Sequence, residues 1–145
     1  MAEEYKFEQV RDLYLECLKE EGYVPKLDEE GDIYFKKEGR KFIVALSETD
    51  LQYLSLSATS SHDNILRSRC HALEVINDIQ FHYKAVKMLL FEGDDLYIAF
   101  KVENFLESPI TFENVLLRSL DLLGHIMNQF EKSVAKYDLT QQSSA

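Results

Sequence analysis

Histidine can serve as a metal ligand or as a catalytic acid or base, and the chain has four: His62, His71, His82 and His125. None of them is spaced from another histidine or a cysteine in the way that metal ligands usually are. Cys70 and His71 are adjacent in a predicted helix, so their side chains project about 100° apart, which suits neither a shared metal site nor a catalytic dyad. His71 and Glu74 share a helix face, but a di-metal carboxylate site needs this motif twice. The histidines therefore predict no catalytic residue and no metal site.

The glycines and the acidic pairs give no stronger signal. None of the five glycines forms a loop of the kind that cradles phosphate groups, so we expect no nucleotide. Glu29-Glu30 and Asp94-Asp95 lie in predicted turns, where acidic residues are common; a bound cation or a carboxylate pair is the alternative interpretation. We expect a protein that has no cofactor and is not an enzyme.

Composition indicates one acidic globular domain. The 145 residues are 46% hydrophobic and 12% aromatic, which is enough for a single core. We predict one domain over residues 1–139 and a disordered polar tail over residues 140–145. The formal net charge is −10, and the basic clusters at residues 36–41 and at Arg67 and Arg69 are small. Because phosphate binding needs clustered lysine and arginine, we expect neither nucleic acid nor an anionic membrane as a partner.

Location and redox state follow from two further features. The longest apolar runs, such as residues 42–46, are far too short to span a bilayer, and the N-terminal residues are acidic, unlike a secretory signal. We expect a cytoplasmic protein. Cys17 and Cys70 fall on apolar helical stripes and are predicted to be buried thiols, with a disulfide between them as the alternative.

Apolar residues at helical spacing predict three helices. The first covers residues 5–21 and stops at Gly22. The second runs from the capping residues 59–63 to about Asn77, and its apolar stripe comprises Ile65, Leu66, Cys70, Leu73 and Ile76. The third, which is the longest, starts near Ser108-Pro109 and reaches Tyr137.

Alternating apolar and polar residues predict five strands, at residues 33–36, 41–46, 53–58, 86–91 and 96–102. A short extended piece at residues 23–27 suits a sheet edge, because Pro25 cannot donate a ladder hydrogen bond. The order α-β-β-β-α-β-β-α predicts an α+β fold in which an antiparallel sheet carries its helices mainly on one face.

The sheet face turned away from the helices has an unusual predicted composition, since it mixes lysines with large apolar and aromatic residues. We select as a candidate partner-binding surface Tyr34, Ile43, Tyr53, Leu89, Phe91 and Tyr97. Tyrosine favours interfaces because it has an apolar body and a polar tip. Ordinary cross-strand pairing on a solvated sheet and a small-molecule site are the alternatives.

Five stretches carry a resemblance to a known family: Glu21-Gly22, residues 28–35, Ile76-Asn77, the hairpin of residues 86–102 and the long terminal helix. They resemble the superfamily that unites the YbjN-type domain with the type III secretion chaperones, also called the Tir-chaperone group. The resemblance implies the α-β-β-β-α-β-β-α fold and often a homodimer. For the chaperone branch it also implies a small acidic protein that holds an extended client segment. It implies no catalytic residue.

These observations predict a non-enzymatic, chaperone-like or regulatory module that binds a protein client or a second copy of itself. An extended segment would add to a sheet edge or lie on an apolar patch. The alternative is a small-molecule-binding or enzymatic domain with a pocket between the C-terminal helix and the sheet.

Overall fold

Three helices and a six-stranded sheet form the computed structural model, which describes residues 5–60, 69–93 and 96–143. The first half contains α1 (Phe7–Glu20), β1 (Lys26–Leu27), β2 (Ile33–Lys37), β3 (Arg40–Leu46) and β4 (Tyr53–Ser60). The second half contains α2 (Arg69–His82), β5 (Lys87–Glu92), β6 (Leu96–Phe105), a short 3-10 helix (Pro109–Thr111) and α3 (Phe112–Ser143). The predicted α+β class and element order are confirmed, and β1 is the extended piece predicted for a sheet edge.

The strands lie in the order β1-β2-β3-β4-β6-β5, and every neighbouring pair is antiparallel. β2 and β3 form a hairpin whose turn residues Glu38 and Gly39 both have positive φ, at 52° and 80°, as the favoured two-residue hairpin turns require. β4 does not pair with β5, which follows it in the sequence. Instead α2 carries the chain past β6, so that β6 lies beside β4 and β5 becomes the outer strand.

One face of the sheet forms the core. Its buried strand residues include Ile33, Phe35, Phe42, Val44, Leu54, Leu56, Ala58, Met88, Ile98, Phe100 and Val102. α3 lies against them with a buried stripe that includes Leu116, Leu123, Ile126, Phe130 and Val134. The rings of Phe100 and Phe130 meet edge to face at 5.5 Å. Each such side chain contributes about 1.5–3 kcal/mol on burial, so the contact between α3 and the sheet dominates the stability of the fold.

α1 ends as the sequence predicts. Gly22 has a φ of 93°, and its N–H donates to the carbonyl of Lys19 while the N–H of Tyr23 donates to the carbonyl of Leu18. These two bonds form a Schellman motif, which satisfies carbonyls that would otherwise lack a partner at the helix end. Further along α1, the ring of Tyr14 stacks on Phe112 with 3.9 Å between the centroids, which joins α1 to the start of α3.

The predicted apolar stripe of α2 is confirmed at Ile76 and wrong at Cys70 and Leu73. The residues of this helix that the core buries are His71, Ala72, Val75, Ile76 and Ile79, whereas Leu73 is 41% exposed and Cys70 is also exposed. Ile65 and Leu66 lie outside the described residues. α2 continues to His82, so the later residues Val75 and Ile79 determine which face is buried. The thiol of Cys70 is therefore not buried, and neither Cys17 nor Cys70 is in a disulfide. The predicted boundary between one domain over residues 1–139 and a tail over residues 140–145 stays a prediction.

The Tyr14 hydroxyl gives a first stability prediction. Tyr14 is 1% exposed, and within the described residues its hydroxyl has no hydrogen-bond partner. Because a buried unsatisfied hydroxyl costs free energy, we expect Tyr14→Phe to raise the free energy of unfolding by about 1 kcal/mol in urea denaturation. Tyr14→Ala, the control that also removes the ring, should lower it by about 3 kcal/mol. A marked loss of stability in Tyr14→Phe would contradict the assignment.

The same substitution changes the dependence of stability on pH. Burial raises the pKa of Tyr14 from the usual 10 to about 12. Since the folded state favours the neutral phenol, the raised pKa contributes to the free energy of unfolding. This contribution is complete below pH 10 and is lost as the pH rises toward 12. The difference in unfolding free energy between wild type and Tyr14→Phe should therefore change in that pH window and remain constant between pH 7 and 9.

The two thiols should react at different rates. Burial raises the pKa of Cys17 to about 11, and the carboxylates of Glu113, Glu21 and Glu20 add to the shift. Because only the thiolate is nucleophilic, iodoacetamide at pH 8 should alkylate exposed Cys70 at least about 10-fold faster than Cys17, as measured by peptide mass spectrometry. In urea the two rates should converge. Faster modification of Cys17 in the folded protein would contradict its placement.

Candidate functional site

The face of the sheet opposite the core is the candidate site, and we call it the open sheet face. It consists of the strand residues at positions 26, 34, 36, 41, 43, 45, 53, 55, 57, 59, 87, 89, 91, 97, 99, 101, 103 and 105. All three helices contribute to one core cluster on the other face. The alternation along each strand therefore turns these residues away from the helices.

All six predicted partner-binding residues lie on the open sheet face, but in three separate groups. Tyr34 and Ile43 are direct partners on β2 and β3. Leu89, Phe91 and Tyr97 lie together on β5 and β6, and the rings of Phe91 and Tyr97 stack at 5.1 Å with 9° between their planes. Tyr53 lies apart from both groups, at the first residue of β4. Of these residues Phe91 and Tyr97 are the exposed ones, at 41% and 37%, so the second group offers a partner an accessible aromatic surface.

Polar residues separate these groups. β4 carries Ser55, Ser57 and Thr59 in the middle of the face, and Ser57 pairs with Ile43 on one side and Lys101 on the other. Since neighbouring strands are about 4.8 Å apart, the three strand intervals from β3 to β5 span roughly 14 Å. The structure therefore gives two lateral aromatic patches, a third aromatic position at Tyr53 at one end of the central strands, and hydrophilic residues between them, instead of one continuous apolar surface.

Phe105 lies beyond the predicted end of its strand at Val102 and so was not among the predicted site residues. β6 continues to Phe105, which pairs with Tyr53 and is 77% exposed. The ring centroids of the two residues are 6.1 Å apart. Glu103 and Asn104 are both polar, so the apolar–polar alternation stops at Val102 and the sequence gives no signal for the longer strand.

The open sheet face is basic although the chain is acidic. Its strand positions hold five lysines, which are Lys26, Lys36, Lys41, Lys87 and Lys101, against a single carboxylate, Glu103. The ammonium group of Lys41 lies 4.6 Å from the centroid of the Tyr34 ring, a cation–π contact. The formal charge of −10 must therefore be concentrated on the other surfaces of the molecule.

Glu103 organises the polar end of this face. Its Oε2 accepts a hydrogen bond from the Tyr53 hydroxyl at 2.6 Å, and its Oε1 accepts one from Lys87 at 3.2 Å. These two bonds lower the pKa of Glu103, the contact with Tyr53 being the larger cause. In return, the hydrogen bond to Glu103 raises the pKa of Tyr53.

The histidines and acidic turn residues that were considered for catalysis or metal binding lie apart from the open sheet face. His71 is buried in the core, and the His125 ring lies 5.4 Å from that of Tyr83. Asp28 Oδ1 accepts hydrogen bonds from the N–H groups of Glu30 and Asp32, which gives it a role in the turn. Within the described residues, no group of three histidine, cysteine or acidic side chains could hold a metal ion. His62, Asp94 and Asp95 lie outside the described residues.

The Glu103 contacts give a prediction about acidity. Glu103→Gln removes the negative charge that the Tyr53 hydroxyl faces, so we expect the pKa of Tyr53 to fall toward its usual value of 10. Ring carbon shifts in an NMR titration would measure it. Glu107→Gln, at another exposed glutamate, is the control and should leave Tyr53 unchanged. An unaltered pKa in Glu103→Gln would contradict the hydrogen bond.

No helix in the described part of the chain is both long enough and apolar enough to cross a membrane. No protein-family model and no curated protein matches the chain.

Solved structures do match it. An uncharacterised protein from Methanothermobacter thermautotrophicus has a TM-score of 0.63 at 14% identity, and the match covers 88% of this chain and 98% of that one. YbjN from E. coli, which has been proposed to be a transcription regulator, has a TM-score of 0.56 at 12% identity, covering 90% of this chain and 92% of YbjN. At such identities the likeness concerns the fold alone. The chain therefore has a YbjN-like α+β fold.

Proposed function

We propose that this protein is a non-enzymatic, chaperone-like or regulatory module that binds an acidic, extended segment of another protein on its open sheet face. The observation that carries the proposal is the exposed Phe91–Tyr97 stack on a lysine-rich face of an acidic molecule. Exposed aromatic pairs are the usual anchors of protein interfaces. The lysines elsewhere on the same face would select a partner segment of opposite charge.

Charge argues against self-association through this face. A symmetric dimer places the same surface of each copy against the other, and here that would bring two sets of lysines together. Like charges across an interface cost free energy unless each is paired. We therefore expect a partner other than a second copy on the open sheet face, and any homodimer to use a different surface.

The sheet edges are less suitable for a partner strand. At β5, the side chain of Gln80 accepts a hydrogen bond from the N–H of Met88 at 2.9 Å, which occupies an edge position that an added strand would need. Arg69 of α2 also pairs with Glu92 at the end of β5. The opposite edge, β1, is only two residues long. A blocked edge and a very short edge strand both disfavour pairing with an added strand. We therefore expect the partner segment to bind across the open sheet face.

A regulatory role has one further support, the likeness of the fold to YbjN. A chaperone role has the acidity of the chain and an open face that could hold an extended client. In either role the proposed partner is the same, an extended acidic segment of another protein.

The proposal is tested by affinity capture with tagged protein from native lysate, followed by mass spectrometry and light scattering. Phe91→Ser with Tyr97→Ser removes the stacked pair and should weaken capture about 30-fold, the loss expected when an aromatic anchor worth ~2 kcal/mol is removed. The control is Phe81→Ser, which removes an aromatic side chain of α2 that is 83% exposed, and it should capture the partner normally.

The charge of the captured segment decides the partner class. Lys36→Glu with Lys41→Glu should reduce capture of an acidic segment, and raising the salt concentration should do the same. Capture of nucleic acid or of a basic protein would contradict the proposed partner. Equal capture by wild type and the Phe91/Tyr97 variant would exclude the open sheet face as the binding surface.

A further inference from the structure

We propose that the cavity between α3, β6 and the connection from α2 to β5 binds a small organic anion that has an apolar body. The cavity lies on the helix side of the sheet, away from the open sheet face, and its function is independent of the proposed protein partner. Its volume of about 530 Å³ is within the range of small-molecule sites.

The walls of the cavity combine an apolar surface with two neutral polar groups. Val102 of β6 and Val115 and Leu122 of α3 provide the apolar surface. Asn104 is half-buried, and the hydroxyl-bearing Ser119 is 5% exposed, so both offer hydrogen bonds close to the apolar wall. A few polar groups placed in a mainly apolar cavity are typical of a site that orients a small ligand.

The charged groups at the mouth are cationic. Lys84 and Arg118 line the cavity, and none of the described lining residues is acidic. Arg40, Arg69 and Lys87 elsewhere pair with carboxylates, whereas Lys84 and Arg118 make no ion pair within the described part of the chain. His82 is already engaged, since its Nδ1 lies 2.8 Å from the carbonyl oxygen of Asp78. Two available cations beside an apolar wall in a chain of net charge −10 favour an anionic ligand.

The backbone of the cavity wall is held in a costly conformation. Ala85 has a φ of 65°, in the left-handed region, which is unfavourable for a residue with a β-carbon. The positive φ of Glu38 belongs to a hairpin turn, but Ala85 lies in the connection from α2 to β5 and has no such explanation. Residues held in this way are concentrated at ligand sites, where the surrounding structure offsets the strain.

These features assign complementary roles to the lining residues. The guanidinium of Arg118 and the ammonium of Lys84 would bind a carboxylate or phosphate at the mouth, and Arg118 is suited to a bidentate contact. The apolar part of the ligand would lie on Val102 and Leu122. No covalent step is involved, and the site would act by binding alone.

The test uses NMR titration of the uniformly ¹⁵N-labelled full chain with three small probes. Benzoate and phenyl phosphate carry the two anionic groups on the same apolar ring, and benzyl alcohol is the neutral analogue. We expect saturable shifts at the amides of Val102, Asn104, Val115 and Ser119 with at least one anion. Preference for benzoate or for phenyl phosphate identifies the anionic group.

Charge-removing variants provide the matched comparison. Arg118→Gln should weaken binding of the preferred anion at least about 10-fold, as expected for loss of a charge-assisted hydrogen bond, and Lys84→Gln should act in the same direction. Lys132→Gln removes an exposed lysine of α3 that does not line the cavity and should bind as wild type does. Amide spectra of each variant would verify the fold.

Three outcomes would overturn the proposal. They are equal binding of benzyl alcohol, shifts spread over the lysines of the open sheet face, and unchanged affinity in Arg118→Gln. Because the Phe91/Tyr97 variant leaves the cavity intact, it should bind the anion normally, so failure of this proposal and failure of the protein-binding proposal are distinguishable.

Discussion

Burial on one side of the sheet is the constraint on which the rest of this structure depends. Alternate strand residues such as Phe35, Val44 and Phe100 form a single apolar face, and α1, α2 and α3 all pack against it. α3, whose 32 residues extend for about 48 Å, packs over the central strands β4 and β6, and α2 packs on β5. With all three helices on this side, the other face of the sheet is left without a helical cover.

This one-sided packing also separates charge. The open sheet face has five lysines and one glutamate, so the surplus of acidic residues lies on the helices and loops. A formal charge of −10 describes the field far from the molecule, but at contact distance a partner meets the local charge of the surface that it approaches. The bulk composition therefore says little about what either face attracts, and the two proposed ligands are both anions.

β6 connects the two proposed sites. Val102 and Asn104 point to the cavity under α3, while Lys101 and Glu103 point to the open sheet face. Such an arrangement follows from the twofold repeat of a strand, because adjacent residues must face opposite sides. β4 pairs with β6 from Ile98 to Phe105 and β5 pairs with it from Leu96 to Lys101, which makes β6 a rigid support for residues on both sides.

The sequence by itself determined the local features: the end of α1 at Gly22, the alternation of β2 to β4 and the faces on which Tyr34 and Phe91 lie. Each of these depends on residues that are close in the chain. The tertiary structure alone decided that β6 lies between β4 and β5, that α2 buries Val75 instead of Leu73, and that Ser57 and Lys101 separate Ile43 from the Phe91–Tyr97 stack. It also brought Lys84 and Arg118 to one cavity. These outcomes depend on strand order and helix packing between distant segments, and local periodicity carries no information about either.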